Sequence, residues 1–86
     1  MMEPWEQTGK KVIRRILKKE MQQDPSRFTI KKEGYFFLVS VGENQPEAYI
    51  TRGDIEDYLN ASTEVVRLAA VGKIANKLQQ ATEAAG

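Results

Sequence analysis

Between Lys10 and Lys19 basic and apolar residues alternate in pairs: Lys10-Lys11, Val12-Ile13, Arg14-Arg15, Ile16-Leu17, Lys18-Lys19. Pairs that recur every four residues fit a helix. At about 100° per residue, Trp5, Val12, Ile13, Ile16, Leu17 and Met21 fall on one side and the basic residues on the other. Pro4 is tolerated in a first helical turn and Thr8 offers a second cap, so the helix begins between Pro4 and Gly9. It ends before Pro25, because the residue preceding a proline is pushed out of helical geometry, and Asp24-Pro25-Ser26 has turn chemistry of its own.

From Arg27 the period falls from four to two. Phe28 and Ile30 alternate with Thr29 and Lys31, Glu33-Gly34 turns the chain into a run from Tyr35 to Val41, and after a second turn at Gly42–Pro46 a short strand spans Glu47 to Thr51. These are the signals of a three-stranded antiparallel meander. A two-residue loop at Glu33-Gly34 sets Ile30 opposite Phe37 and Phe28 opposite Val39; a three-residue loop sets Ile30 opposite Phe36 and Phe28 opposite Leu38. The first is preferred, because it gathers Phe28, Ile30, Phe37, Val39 and Val41 on one face. Either way the second strand is apolar on both faces, as in a central strand whose far side is covered.

Thr51-Arg52-Gly53-Asp54 has the spacing of a capping box and starts a short helix to about Leu59 that buries Ile55, Tyr58 and Leu59. After Asn60-Ala61, Ser62 or Thr63 caps a final helix. Its stripe reads Val65, Leu68, Ala69, Val71, Ala75 and Leu78, widened by Val66 and Ile74. Gly72 within it costs about 1 kcal/mol relative to alanine, which points to a close backbone contact there. The expected fold is α+β: an N-terminal helix, a three-stranded antiparallel meander, a short helix and a long C-terminal helix, with the long helices on one sheet face. A single domain over residues 1–83 is expected, with 84–86 frayed.

Composition narrows the chemistry. The chain of 86 residues is 41% hydrophobic and 29% charged, as a small folded domain is, and it contains neither cysteine nor histidine. Disulfides and thiolate metal sites are thereby excluded, together with the side chain best suited to proton transfer near neutral pH. The carboxylates Glu43, Glu47, Asp54, Glu56 and Asp57 sit beside turns or at a helix start, where solvation and capping account for them. No phosphate-cradling glycine pattern occurs. The expectation is a protein without enzymatic activity, cofactor or metal. The first residues lack the basic segment and apolar run of a secretory signal, and no apolar stretch reaches the roughly 20 residues of a membrane span. A soluble cytoplasmic protein with no membrane attachment is expected.

Charge changes the picture more. Residues 1–33 hold nine Lys and Arg against five acids, and residues 34–86 hold four against seven. A basic first half points to an anionic partner. The candidate surface is Lys10, Lys11, Arg14, Arg15, Lys18 and Lys19, joined by Arg27 and Lys31, and nucleic acid is the expected partner. The alternative is a protein-interaction or regulatory module. It would act through an apolar sheet face built on Tyr35, Phe36 and Leu38, as a homodimer. Phe36, with Tyr35 or Tyr49, would otherwise offer a stacking platform for unpaired bases.

The order helix, three-stranded meander, helix resembles the double-stranded-RNA-binding domain in topology. That family carries a Lys-Lys-x-Ala-Lys cluster at the start of its last helix and a Gly-Pro-x-His loop between strands. Here those places hold Ser62-Thr63-Glu64-Val65-Val66 and Lys32-Glu33-Gly34, so the resemblance implies no site residue and no function.

Overall fold

The computed structural model of the chain describes residues 4–42 and 46–85. Helix α1 (Pro4–Arg15) continues as a π-helical turn (Ile16–Glu20) and is followed by a 3₁₀ turn (Pro25–Arg27). Strands β1 (Phe28–Glu33), β2 (Phe36–Val41) and β3 (Ala48–Thr51) lead into helices α2 (Arg52–Leu59) and α3 (Glu64–Ala85). The strands form one antiparallel sheet in the order β1-β2-β3. The helices pack on one face of it, giving the expected α+β fold. Gly42–Pro46, read as the second turn, lies outside the described residues at positions 43–45, as does Gly86 of the expected frayed end.

α1 docks on the sheet through its apolar pairs: Val12, Ile13, Ile16 and Leu17 are all buried. Gly9, also buried, lets the helix backbone reach the Phe37 ring, where a methyl group would overlap the ring atoms. The Trp5 ring, one turn before Gly9, packs against Phe37 with the ring centres 5.6 Å apart, and the Arg52 guanidinium stacks 4.9 Å above the indole. The helix is not regular to its end, as its period implied. In a regular helix Glu20 would follow Ile16 by four residues and point to the core. The π turn adds a residue, with the Met21 N–H donating to the Ile16 carbonyl at 3.1 Å. Met21 thereby reaches the core while Glu20 stays exposed.

The turn closes at Gln22, whose φ of 54° is left-handed. A side chain there is strained by about 1 kcal/mol, and glycine is the residue that relieves it. Gln22→Gly is therefore expected to raise the unfolding midpoint by roughly 4–8 °C in thermal denaturation followed by circular dichroism.

The hairpin register differs from both expected ones. Phe28 pairs with Val41, Ile30 with Val39 and Glu33 with Phe36, so the two-residue loop is Gly34-Tyr35. Gly34 has φ 61° and Tyr35 does not have positive φ, the arrangement of a type II′ turn with glycine first. The slip from the preferred register is two residues. An even slip keeps every side chain on its face, so Phe28, Ile30, Phe37 and Val39 are buried as expected, beside Ala48 and Ile50. The far side of β2 is not covered as expected. Thr29, Lys31, Glu33 and Tyr49 are exposed there, with Phe36 and Leu38 half-buried.

α2 opens with the capping box read from the sequence: the Asp54 N–H donates to Thr51 Oγ1 at 3.1 Å and the Thr51 N–H to Asp54 Oδ2 at 3.0 Å. Ile55 is buried and Tyr58 half-buried, but Leu59 is 49% exposed, contrary to expectation. Thr63 caps α3 by accepting from the Val66 N–H at 3.2 Å.

The buried stripe of α3 is rotated from the expected one. Ala70, Val71, Ile74, Leu78 and Ala81 are buried, whereas Val65, Val66, Leu68 and Ala69 are exposed. Residues 65–72 are apolar almost all round the helix, so period alone cannot choose a face. The face is set further along, where Ile74, Leu78 and Ala81 join the core, and Lys73 and Lys77 flank it, reaching Asp54 at 3.4 and 2.5 Å. Gly72 faces open space instead of a close neighbour.

Candidate nucleic-acid interface

α1 carries its cations on the side opposite Val12, Ile13, Ile16 and Leu17, so docking on the sheet turns them outward. Lys11, Arg14, Arg15, Lys18 and Lys19 are all exposed. Lys10 departs from the expected set: its ammonium pairs with Glu6 at 3.1 Å and its side chain is only 15% exposed. Among the described residues none of the other five forms an ion pair. Among the described residues, the acids of the second half form no ion pair with them. Their pairs lie elsewhere, at Arg52–Glu56, Arg67–Glu64 and the two lysines on Asp54.

Arg27 sits at the far end of this row. Hydrogen bonds from the Ser26 hydroxyl and N–H hold the Asp24 carboxyl below the usual carboxylate range, and Arg27 and Lys18 add to the effect, so both cations lie close to Asp24. Lys31 does not join the row. It belongs to the outer sheet face, across the sheet from the helices. The expected eight-residue surface therefore resolves into five open cations on α1 and its π turn, Lys10 paired with Glu6, Arg27 beside Asp24, and Lys31 apart.

The row is costly to the fold. Lys11–Arg15, Arg15–Lys19 and Arg14–Lys18 are like-charge pairs one turn apart, each destabilising an isolated helix by about 0.2–0.5 kcal/mol. Lys18 and Lys19 are offset by the helix C-terminus, which favours cations. Lys11 and Arg14 are further from it.

The candidate apolar interface is less continuous than its sequence implied. Tyr35 occupies the hairpin turn at 77% exposure, while the Phe36 ring is stacked on Tyr49 at 5.3 Å with the rings 11° from parallel. One face of Phe36 is thus already occupied. Leu38 is half-buried beside Tyr49, its pairing partner.

A further feature had no signal in the sequence. Between α1 and α2 lies a groove of about 220 Å³ lined by Thr8, Lys11, Val12, Arg15, Tyr58 and Leu59. Tyr58 and Leu59 read as core from their period, which hid their part in this surface.

Asp54 is the one strongly buried carboxylate of the described residues, at 3% exposure. Burial pushes its carboxyl up, but hydrogen bonds from Lys77 and from both groups of Thr51 outweigh that and hold it below the usual range. With every oxygen engaged, Asp54 joins α2 to α3 and offers no free acid or base. Among the described residues no three metal-ligating side chains converge, and no helix is long and apolar enough to cross a membrane. No protein-family model, no curated protein and no solved structure matches the chain.

Proposed function

We propose that this protein is a non-enzymatic binding module that docks a polyanion, nucleic acid first, along the exposed face of α1. The observation that carries the reading is the row Lys11, Arg14, Arg15, Lys18 and Lys19, open to solvent and, among the described residues, in no ion pair, with only Lys18 near a carboxylate, that of Asp24. A helix selected only for solubility would alternate acids with these bases, gaining i,i+4 support. This one gives up that support, which is the usual relation between a binding surface and stability. Each cation that neutralises a phosphate releases a counterion, so affinity falls steeply with salt.

The test is a fourfold reversal, Arg14→Glu, Arg15→Glu, Lys18→Glu and Lys19→Glu, compared with the wild type on heparin and in oligonucleotide binding at low salt. The variant is expected to lose retention altogether while keeping its helical circular dichroism. Retention at the wild-type salt concentration would refute the reading. A second substitution separates surface from scaffold: Arg15→Glu alone acquires Lys11, Lys18 and Lys19 as neighbours, and is expected to unfold at a higher temperature while binding more weakly.

A second reading is a protein-interaction module acting through the outer sheet face. Phe36, Leu38 and Tyr49 support it, since they form an apolar patch that no helix covers. Light scattering tests it: a dimer indifferent to heparin supports this reading, and a heparin-retained monomer supports the first.

A further inference from the structure

We infer that the groove between α1 and α2 takes an unpaired base of a single-stranded nucleic acid, so that the partner class is single strand in preference to duplex. The inference rests on the α1 reading above and deepens it.

The groove joins an apolar floor to a charged rim. Its lining brings together Val12 at 6% exposure, Leu59 at 49% and the half-buried Tyr58, which also packs against the core. Leu59 is a large apolar side chain half open to water, next to two cations, Lys11 and Arg15, that line the same groove. At about 220 Å³ the groove is smaller than the roughly 300 Å³ at which small-molecule pockets begin. It suits one flat apolar group carried by a larger partner.

Charge determines what that partner is. Lys11 and Arg15 are one helical turn apart, about 6 Å along the axis, and the row continues beyond the groove through Arg14, Lys18 and Lys19. The occupant must therefore carry negative charge on either side of the inserted group and repeat it along a chain. A nucleic-acid strand has that build at every residue: a flat base flanked by phosphates. An acidic peptide has it only where its sequence happens to place an apolar residue between carboxylates. A duplex presents the same phosphates, but its bases are stacked inside and reach the groove only at the cost of unpairing. Aromatic side chains beside cations are the common means of holding unpaired bases, and Tyr58 is the ring so placed.

The experiment uses fluorescence anisotropy at one low salt concentration with three labelled probes: an oligothymidine of about 12 nucleotides, within the usual single-strand site size, the same backbone with abasic sites, and a duplex of equal length. An acidic peptide carrying a single leucine serves as a fourth probe. The wild type is expected to bind oligothymidine about tenfold tighter than the abasic strand, the size of one stacked base. Tyr58→Leu, which keeps apolar bulk, and Leu59→Gln, at an exposed position, are each expected to abolish that preference and leave abasic binding unchanged. Equal affinity for oligothymidine, abasic strand and duplex would overturn the groove assignment while leaving the α1 reading intact. Tighter binding of the peptide than of oligothymidine would overturn it in favour of a protein partner. Binding of none of the probes would remove the α1 reading itself.

Discussion

Asp54→Ala will cost the domain about 3 kcal/mol, out of the 5–15 kcal/mol that holds a small protein folded. Two losses combine. The capping box of α2 disappears, which typically costs about 1 kcal/mol. The ion pairs that join α2 to α3 disappear with it. Breaking a fully buried pair costs about 3–5 kcal/mol, but here Lys77 is 33% and Lys73 60% exposed, so both can turn to water and the loss is nearer 2 kcal/mol after solvent screening. In thermal unfolding the midpoint should fall by at least 12 °C, at roughly 4 °C or more per kcal/mol for a domain of this size. The pH dependence has a definite sign. Because the Asp54 carboxyl is held below its ordinary value, its contribution is fully present above the unfolded pKa of about 3.9 and is lost as pH falls through the lower folded value. Asp54→Asn, which does not titrate, should therefore lose less stability than the wild type when the two are taken from pH 5 into that acid range.

Gly9→Ala will destabilise the fold by about 2 kcal/mol, whereas the same change at Gly72 will stabilise it. In a helix interior alanine is preferred to glycine by about 1 kcal/mol, and at Gly72, with open space around it, nothing opposes that gain. At Gly9 the new methyl group falls on the Phe37 ring. Phe37 is fully buried and packed against Trp5, one turn before Gly9 on the same helix, so the ring has little room to move away and α1 must rise off the sheet. Overpacking of this kind costs about 1–3 kcal/mol, and the overlap here belongs at or above the upper end. Urea unfolding of both variants reads the two signs directly. Adding Phe37→Leu to Gly9→Ala should recover part of the loss, a coupling that two residues in contact are expected to show.

The sequence revealed faces more readily than registers. Alternation marks Phe28 and Ile30 as buried, but the second strand is apolar on both faces, and Phe37 and Val39 are preferred over Phe36 and Leu38 only because they gather the fuller core. The hairpin loop did not follow, since Gly34 can stand first or second in a two-residue turn and the sequence shows no preference. On α1 the strict pairing of apolar and basic residues left one orientation, so five of the six cations could be placed, while Lys10 is held by Glu6 one turn earlier. On α3 the face could not be read this way: Val65, Val66, Leu68, Ala69, Ala70 and Val71 are all apolar, the core takes Ile74, Leu78 and Ala81 further along, and Lys73 and Lys77 pair with a carboxylate about twenty residues earlier. Such long-range pairs leave no periodic trace. Gly9 was hidden for a similar reason, as a glycine near a helix start looks like part of a cap until Phe37 is placed against it. The groove depends on Leu59 failing to be buried, and its period pointed the other way.

If the α1 cations meet phosphates, the salt dependence of oligonucleotide binding shows it most directly. With five phosphates neutralised, log affinity against log salt should have a slope near −3.5 for a single strand, at about 0.7 per contact. Replacing Lys11, Arg14, Arg15, Lys18 or Lys19 singly by glutamine should reduce that slope by about 0.7 each, while Lys73→Gln leaves it unchanged. A slope that ignores the α1 substitutions, or that responds to Lys73 instead, would contradict the account.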